Sequence, residues 1–258
     1  MSGASASGGI WTAFSYCVQQ IRNYDYHHYL CLLELPPNMR KAAFALHAFN
    51  VETARAMDIA SDPKIGLMRL LWWREAIDKI FANKLIEHPT AQALSSVIYE
   101  YKINKGWLTR SIEARINDAK REVIEIPETI EELEWYAKDT VSTILYMTLQ
   151  AGAAAVNFLT YLLKWQPNTG CRLTREAKWR FAWTLASVCD AVFEMASVAN
   201  SHLHKACELA GTVPEEAHPV LLPAVPAQVL LDSLRRAHFD VYDPRLARGI
   251  LGIPPLWY

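Results

Sequence analysis

Apolar side chains recur at helical intervals along most of the chain, and prolines divide this pattern into segments. Pro36 and Pro37 predict the start of a helix that runs to about Ala60. Asp62 and Pro63 predict the N-cap and first turn of the next helix, since these residue types are favoured there. One face of each helix is apolar, formed by Ala42, Leu46, Phe49, Thr53 and Met57 in the first and by Leu70, Trp73, Ile77 and Phe81 in the second.

The same kind of pattern predicts further helices. Pro89 starts a third, and the pair Lys105-Gly106 is predicted to end it before a fourth begins. Thr129 and Glu132 have the spacing of a capping box, which predicts another helix start. Helical patterns return in residues 174–210, 215–224 and 226–237. Because no segment alternates as a strand does and the chain has only 10 glycines, the sequence predicts an all-α fold.

The beginning of the chain has a different composition from the rest. Met1 to Gly9 is rich in Gly, Ser and Ala, and the first 24 residues contain no Asp or Glu. We therefore expect a flexible tail over residues 1–20, followed by one helical domain over residues 21–258. A mitochondrial transit peptide is the alternative, but it needs several arginines and only Arg22 is present.

One long uncharged run has two interpretations. Thr140 to Leu163 is long enough to cross a bilayer. Gln150, Gly152 and Asn157 interrupt the run and favour a helix buried inside a large bundle, which is also apolar on every side. Both interpretations stay open at this point.

Charge and local motifs exclude several kinds of function. The formal net charge of −1, without a basic tail, gives no reason to expect a nucleic-acid partner. The six glutamates of residues 122–134 are interpreted as a solvated helix start, with an acidic docking surface as the alternative. Neither His27-His28 nor His202 with His204 predicts a metal site, because residues one or two apart on a helix do not face each other.

Three regions resemble the squalene and phytoene synthases. The first runs from Tyr24-Asp25-Tyr26 through Leu35-Pro36-Pro37 to residues 40–49, where Ala45-Leu46-His47-Ala48-Phe49 is similar to the Ala-Leu-Tyr-Ala-Phe of that superfamily. The second, residues 65–75, resembles its Arg-Leu-x-Trp-Trp-Arg segment. The third comprises residues 219–224, 230–234 and 239–242. The resemblance implies a single-domain helical bundle of the isoprenoid synthase type.

The resemblance also locates where catalytic groups are expected. In these enzymes two Asp-rich helical motifs hold the Mg²⁺ ions that bridge prenyl diphosphates. The first motif falls on Ala54, Arg55 and Asp58, so Asp58 is its one remaining carboxylate. Residues 153–188 depart from the family and do not match the second motif. We therefore expect no catalytic residue, no metal and no cofactor.

Two segments are similar to one branch of the superfamily, Asn50 to Ala54 and Asp139 to Leu149. Members of that branch help to assemble mitochondrial respiratory complex I. This resemblance implies a non-catalytic protein on the matrix side of the inner membrane, peripherally associated with it. Its expected partners are complex I subunits or other assembly factors. The alternatives are a prenyl-diphosphate transferase of the squalene/phytoene synthase type and a module that binds a lipid or isoprenoid.

Six residues are candidates for contact with a ligand, in two groups. Arg40, Arg69 and Arg74 are candidate contacts for an anion or a lipid headgroup, with surface ion pairs as the simpler interpretation. Phe49, Trp72 and Trp73 are candidate cavity walls.

Overall fold

The computed structural model describes residues 3–121, 129–152, 185–213 and 215–248, and within these ranges it contains helices and no strand. The prediction of an all-α fold is confirmed. The helices are α1 (Gly3–Tyr24), α2 (Tyr26–Leu33), α3 (Pro37–Ala54), α4 (Pro63–Phe81), α5 (Pro89–Tyr101), α6 (Lys105–Ala119), α7 (Ile130–Ala137), α8 (Thr143–Ala151), α9 (Leu185–Ala210), α10 (Ala224–Arg236) and α11 (Pro244–Arg248). A π-helical turn (Lys138–Ser142) joins α7 to α8, and a 3-10 helix (Glu215–Leu221) follows α9.

Several helix starts lie where the sequence predicts them. The Asp62 carboxylate accepts a hydrogen bond from the Lys64 amide at 2.8 Å and caps α4. The Thr129 hydroxyl accepts one from the Glu132 amide at 3.3 Å and caps α7. These side chains satisfy amides that have no partner within the helix, and so fix the first turn.

Two predicted boundaries differ from the structure. Helix α3 ends at Ala54 rather than near Ala60. The break before α6 falls at Lys102, whose φ of 52° ends α5, and not at Lys105-Gly106. Gly106 lies in the first turn of α6, where its amide donates to the Asn104 side chain at 2.7 Å. An Asn cap therefore starts this helix, and the glycine does not interrupt it.

Helix α3 is the central element of the bundle. It packs mainly against α1, α5 and α8, with smaller contacts to α2, α4 and α6. Its buried residues lie on every side of the helix rather than on one stripe: Met39, Ala42, Ala43, Phe44, Ala45, Leu46, Ala48, Phe49, Val51 and Thr53. The four alanines in this set allow neighbouring helices to approach closely. The rest of the main core is arranged around this helix.

The expectation of a flexible tail over residues 1–20 is wrong for the residues described. Helix α1 begins at Gly3 and packs against α3 and α5. Ala13, Cys17 and Ile21 recur every four residues and are almost completely buried. The sequence did not predict this helix for two reasons. Its first residues are mostly Gly, Ser and Ala, and its buried stripe begins with the small side chains of Ala13 and Cys17, which give little hydrophobic signal.

The uncharged run is only partly described. Within it, Ile144, Met147 and Leu149 of α8 are buried, and α8 packs against α3 and α6. Residues 153–163 lie outside the described ranges. Among the helices that the structure describes, none has both the length and the apolar character needed to cross a membrane.

A smaller cluster joins the helices at the end of the described chain. Leu234, Ala237 and Leu246 are buried together, with Val192 and Phe239 packed against them. His202 of α9 also lies 2.6 Å from the Glu134 carboxylate of α7. Most of the predicted divergent segment, residues 153–184, lies outside the described residues, as does the predicted helix start near residue 174.

The packing of α1 predicts a difference between two substitutions in that helix. Ile21→Ala should lower the free energy of unfolding by about 2–5 kcal/mol, because it removes buried methyl groups and leaves a cavity. Trp11→Ala, at a side chain that is 75% exposed, should change it by less than about 0.5 kcal/mol. Urea unfolding followed by circular dichroism measures both. If both variants were as stable as the wild type, α1 would not be docked.

Candidate functional site

The C-terminal end of α3 lies where the resemblance to squalene and phytoene synthases places their first Asp-rich motif. Ala54 is the last residue of α3, and Arg55 and Asp58 lie in the turns that follow. The Arg55 guanidinium lies over the ring of Tyr24, 3.4 Å from its centroid, and so joins this turn to the end of α1. Asp58 is exposed. An alanine and a ring-stacked arginine offer no oxygen ligand to Mg²⁺, which prefers carboxylates.

A second carboxylate, that of Glu52, lies near the end of α3. Glu52 accepts a hydrogen bond from the Thr90 hydroxyl, and its other oxygen lies 3.4 Å from Nε2 of His88. Burial raises the pKa of Glu52 to about 7, although the Thr90 hydrogen bond opposes the rise. Burial also lowers the pKa of His88. Burial therefore biases both groups toward their neutral forms.

An aromatic cluster surrounds His88. Its ring lies 5.2 Å from the Trp72 ring and 5.3 Å from the Trp73 ring, measured between centroids. Phe49 of α3 packs edge-to-face on Trp73 at 5.3 Å. Of the three predicted cavity-wall residues, Phe49 and Trp73 are thus buried in the core between α3 and α4.

The third of these residues, Trp72, is 39% exposed and separates two surface grooves. One groove, of about 300 Å³, is lined by Trp72, Ala76, Lys79, Leu85, Ile86 and Glu87. The other, of about 490 Å³, is lined by Met68, Leu71, Trp72, Arg74, Glu75 and Asp78. Ile65, Met68 and Trp72 follow one another at helical spacing, so α4 presents an exposed apolar stripe beside these grooves.

The buried side chain of Arg115 joins α6 to α3. The Arg115 guanidinium donates to the Asn50 side-chain oxygen and to the Ser111 hydroxyl, both at 2.7 Å. Its Nε has no hydrogen-bond partner, and no carboxylate in the described ranges lies within ion-pair distance of it. Burial lowers the pKa of Arg115. The residue ties α3 to α6 through neutral acceptors.

The three predicted anion contacts do not form one cluster. Arg40 donates twice to the Leu35 carbonyl, at 2.9 and 3.1 Å, and thereby fixes the connection between α2 and α3. Arg74 pairs with Glu113 of α6 at 3.5 Å. Arg69 is exposed on α4. Two of the three guanidiniums thus serve packing between helices.

His202 and His204, which are two residues apart on α9, each contact a carboxylate. His202 pairs with Glu134, and His204 lies 3.4 Å from Glu208 on its own helix. The two rings contact different carboxylates, as expected for residues two apart. The pair provides no shared metal position within the described helices.

Comparison with known proteins decides the family. The sequence model of squalene/phytoene synthase matches residues 21–159 and 168–249. The chain belongs to the squalene/phytoene synthase family. The unmatched residues 160–167 lie inside the segment 153–188 that the sequence analysis predicted as divergent, whereas the rest of that segment matches the family.

Several relatives within this family share a printed name. A rat protein, "NADH dehydrogenase (ubiquinone) complex I, assembly factor 6", is 32% identical over 94% of this chain and 80% of its own length. Its human counterpart is 32% identical over 99% of this chain and 84% of its own length. A Drosophila melanogaster homolog of the same name is 32% identical over 87% of this chain and 76% of its own length.

A solved structure confirms the fold of this squalene/phytoene synthase family member. A crystal structure of a dehydrosqualene synthase in complex with ligand superposes with a TM-score of 0.69, covering 94% of this chain and 93% of that chain. The two sequences are 15% identical, so this likeness concerns the fold alone.

Two residues of this family member were missed at the sequence level. Glu52 and Arg115 stand among other polar and charged residues, such as Asn50 and Glu113, so no local sequence signal marks them as buried or partly buried. Their partners are far away in the sequence, since Thr90 is 38 residues from Glu52 and Asn50 is 65 residues from Arg115. Periodicity identifies a buried face, but it does not identify the partner across it.

The raised pKa of Glu52 predicts a pH dependence of stability. The folded protein binds a proton at Glu52 more tightly than the unfolded chain does, so stability falls as pH rises from about 4.5 to about 7. The loss attributable to Glu52 amounts to about 3 kcal/mol. Glu52→Gln keeps an acceptor for Thr90 and should remove this loss. Urea unfolding of both proteins between pH 4.5 and 7.5 measures the difference.

Thr90→Val is the matched variant for this measurement. It deletes the hydroxyl that stabilises ionised Glu52, so the folded-state pKa of Glu52 rises further and the fall in stability should extend to higher pH. Identical pH profiles for wild type and Glu52→Gln would contradict the assignment.

Proposed function

We propose that this chain acts in the assembly of respiratory complex I as a non-catalytic member of the squalene/phytoene synthase family. The observation that carries the proposal is the similarity to the rat and human proteins named complex I assembly factor 6. It extends over 94% and 99% of this chain. A match over 94% or more of this chain is not confined to one shared motif.

The end of α3 supports a non-catalytic function. Condensation of prenyl diphosphates needs Mg²⁺ bridged to carboxylates, and Asp58 is the one carboxylate among the three first-motif positions. Arg55 carries a positive charge at another of these positions and is held against Tyr24. A cation there repels a metal ion by ordinary electrostatics. Glu52 is engaged with Thr90 and His88.

The proposal includes a location and a class of partner. We propose that the chain works in mitochondria, on the matrix side of the inner membrane. It would associate with that membrane peripherally and bind a complex I subunit or another assembly factor. These statements follow from the relatives' shared name together with the family branch that Asn50 to Ala54 resembles.

The exposed stripe of α4 is the surface that we propose for this protein partner. Met68 is 66% exposed, and Trp72 stands between the two grooves. The charges beside the stripe are largely neutralised in pairs: Arg74 with Glu113, Lys79 with Glu75, and Lys105 with Asp78. An apolar centre with paired charges around it resembles a protein interface, whereas a membrane-binding face has an excess of lysine and arginine.

Cells depleted of this protein test the proposal. Depletion should lower the amount of assembled complex I, measured by native gel electrophoresis, and the wild-type chain should restore it. Asp58→Ala should restore it equally, because no metal chemistry depends on that carboxylate. Met68→Asp should restore less, since a charge at the centre of an interface costs on the order of 2 kcal/mol, or about 30-fold in affinity.

Val225→Asp is the matched control, an equally drastic change at an exposed apolar residue of α10. It should restore complex I like the wild type. Unchanged complex I after depletion would contradict the assembly function. Equal restoration by Met68→Asp and Val225→Asp would contradict the proposed surface alone.

A further inference from the structure

Three side chains of metal-ligand type meet where α2 begins against α3. They are Asp25, which precedes α2, His28 in the first turn of α2, and His47 in the middle of α3. One ligand atom from each lies within 4.8 Å of the other two. Nδ1 of His28 is 2.8 Å from the Asp25 carboxylate, and the rings of His28 and His47 are 5.1 Å apart. None of the three has a part in the function proposed above.

One ring nitrogen of His47 lacks a hydrogen-bond partner. Its Nδ1 is buried and has no hydrogen-bond partner. Buried polar atoms in folded proteins are nearly always paired, and an unpaired one costs free energy. If this position served packing alone, an apolar side chain would avoid the cost of an unpaired nitrogen. The squalene and phytoene synthase pattern has a tyrosine at this position, so the imidazole is a feature of this chain rather than of that pattern.

The protonation states of the cluster suit coordination. Burial lowers the pKa of His47 to about 3, and the charge of His28 contributes in the same direction. His47 is therefore neutral at physiological pH. Burial opposes ionisation of Asp25, but the hydrogen bond and the electrostatic interaction with His28 outweigh it, so the pKa of Asp25 lies below its ordinary value. Metal binding requires neutral imidazoles and an ionised carboxylate.

We propose that Asp25, His28 and His47 form a binding site for a divalent transition metal, with Zn²⁺ as the best fit. Two imidazole nitrogens and one carboxylate oxygen make a ligand set that suits zinc, whereas Mg²⁺ and Ca²⁺ prefer oxygen ligands. The fourth tetrahedral position is left to water or to a partner's side chain. A metal bound by Asp25 and by Nδ1 of His28 replaces the proton that now joins these two groups.

The distances require only a small adjustment. Ligand atoms around a tetrahedral zinc lie about 3.4 Å apart, given metal–ligand distances of about 2.0–2.1 Å. The three present atoms lie within 4.8 Å of one another, so modest side-chain rotations bring them to a common ion. The site ties the start of α2 to the centre of α3, and His28 rather than its neighbour His27 provides the ligand from α2.

Direct metal binding tests this site. The chain is purified without a histidine tag, stripped with a chelator and titrated calorimetrically with Zn²⁺. We expect one equivalent to bind, and Co²⁺ to give the absorption bands of a tetrahedral site. His47→Gln should weaken zinc binding by about tenfold or more, since it removes a direct ligand. A double variant, His202→Gln with His204→Gln, removes the exposed pair on α9 and should bind like the wild type.

The zinc titrations can overturn the proposed site even if one variant fails to fold. If His47→Gln does not fold, as judged by circular dichroism, His28→Gln decides instead, because His28 is only partly buried. Equal zinc affinity in the wild type and in a folded variant of His47 or His28 would overturn the proposal. So would the absence of stoichiometric zinc binding by the wild-type chain. Neither result would affect the proposed assembly function, which the depletion experiment tests separately.

Discussion

Helix α3 is enclosed on nearly all sides, so the hydrogen bonds of its polar side chains have to be made within the bundle. Asn50 receives the Arg115 guanidinium from α6, and Glu52 receives the Thr90 hydroxyl from α5. Thr53 satisfies its own hydroxyl by donating to the Phe49 carbonyl. Hydrogen bonds are directional, whereas the apolar contacts between these helices are not. They therefore fix the register of α3 against its neighbours, in addition to the stability that burial of its apolar residues provides.

The same constraint determines what the end of α3 can do chemically. In an enzyme of this fold, carboxylates at this point have to face a cavity and remain ionised to bind metal. Here Glu52 is drawn into a hydrogen bond with Thr90, and Arg55 is stacked on Tyr24 at the end of α1. Both side chains contribute to helix packing. We therefore propose that the residues at the end of α3 stabilise the bundle and that the outer face of α4 is available for contact with another protein.

The sequence predicted the elements that depend on local chemistry and missed those that depend on distant partners. Asp62 and Thr129 cap their helices as predicted, because a cap needs only residues within one turn. Helix α1 was missed because Ala13 and Cys17 give little hydrophobic signal, and their burial depends on α3 and α5. At the candidate site, the positions of Ala54, Arg55 and Asp58 could be assigned from the family pattern. The roles of Glu52 and Arg115 could not, because they depend on Thr90 and Asn50, which come close only in the folded chain.

The central claim is that the end of α3 no longer binds a diphosphate through Mg²⁺. The most direct test is a calorimetric titration of the purified chain with farnesyl diphosphate, with and without Mg²⁺, together with analysis for condensed products. The account predicts no Mg²⁺-dependent binding and no product, and the same result for Asp58→Ala. Mg²⁺-dependent binding with turnover of the diphosphate, both lost in Asp58→Ala, would contradict it and would identify the chain as a working prenyl transferase.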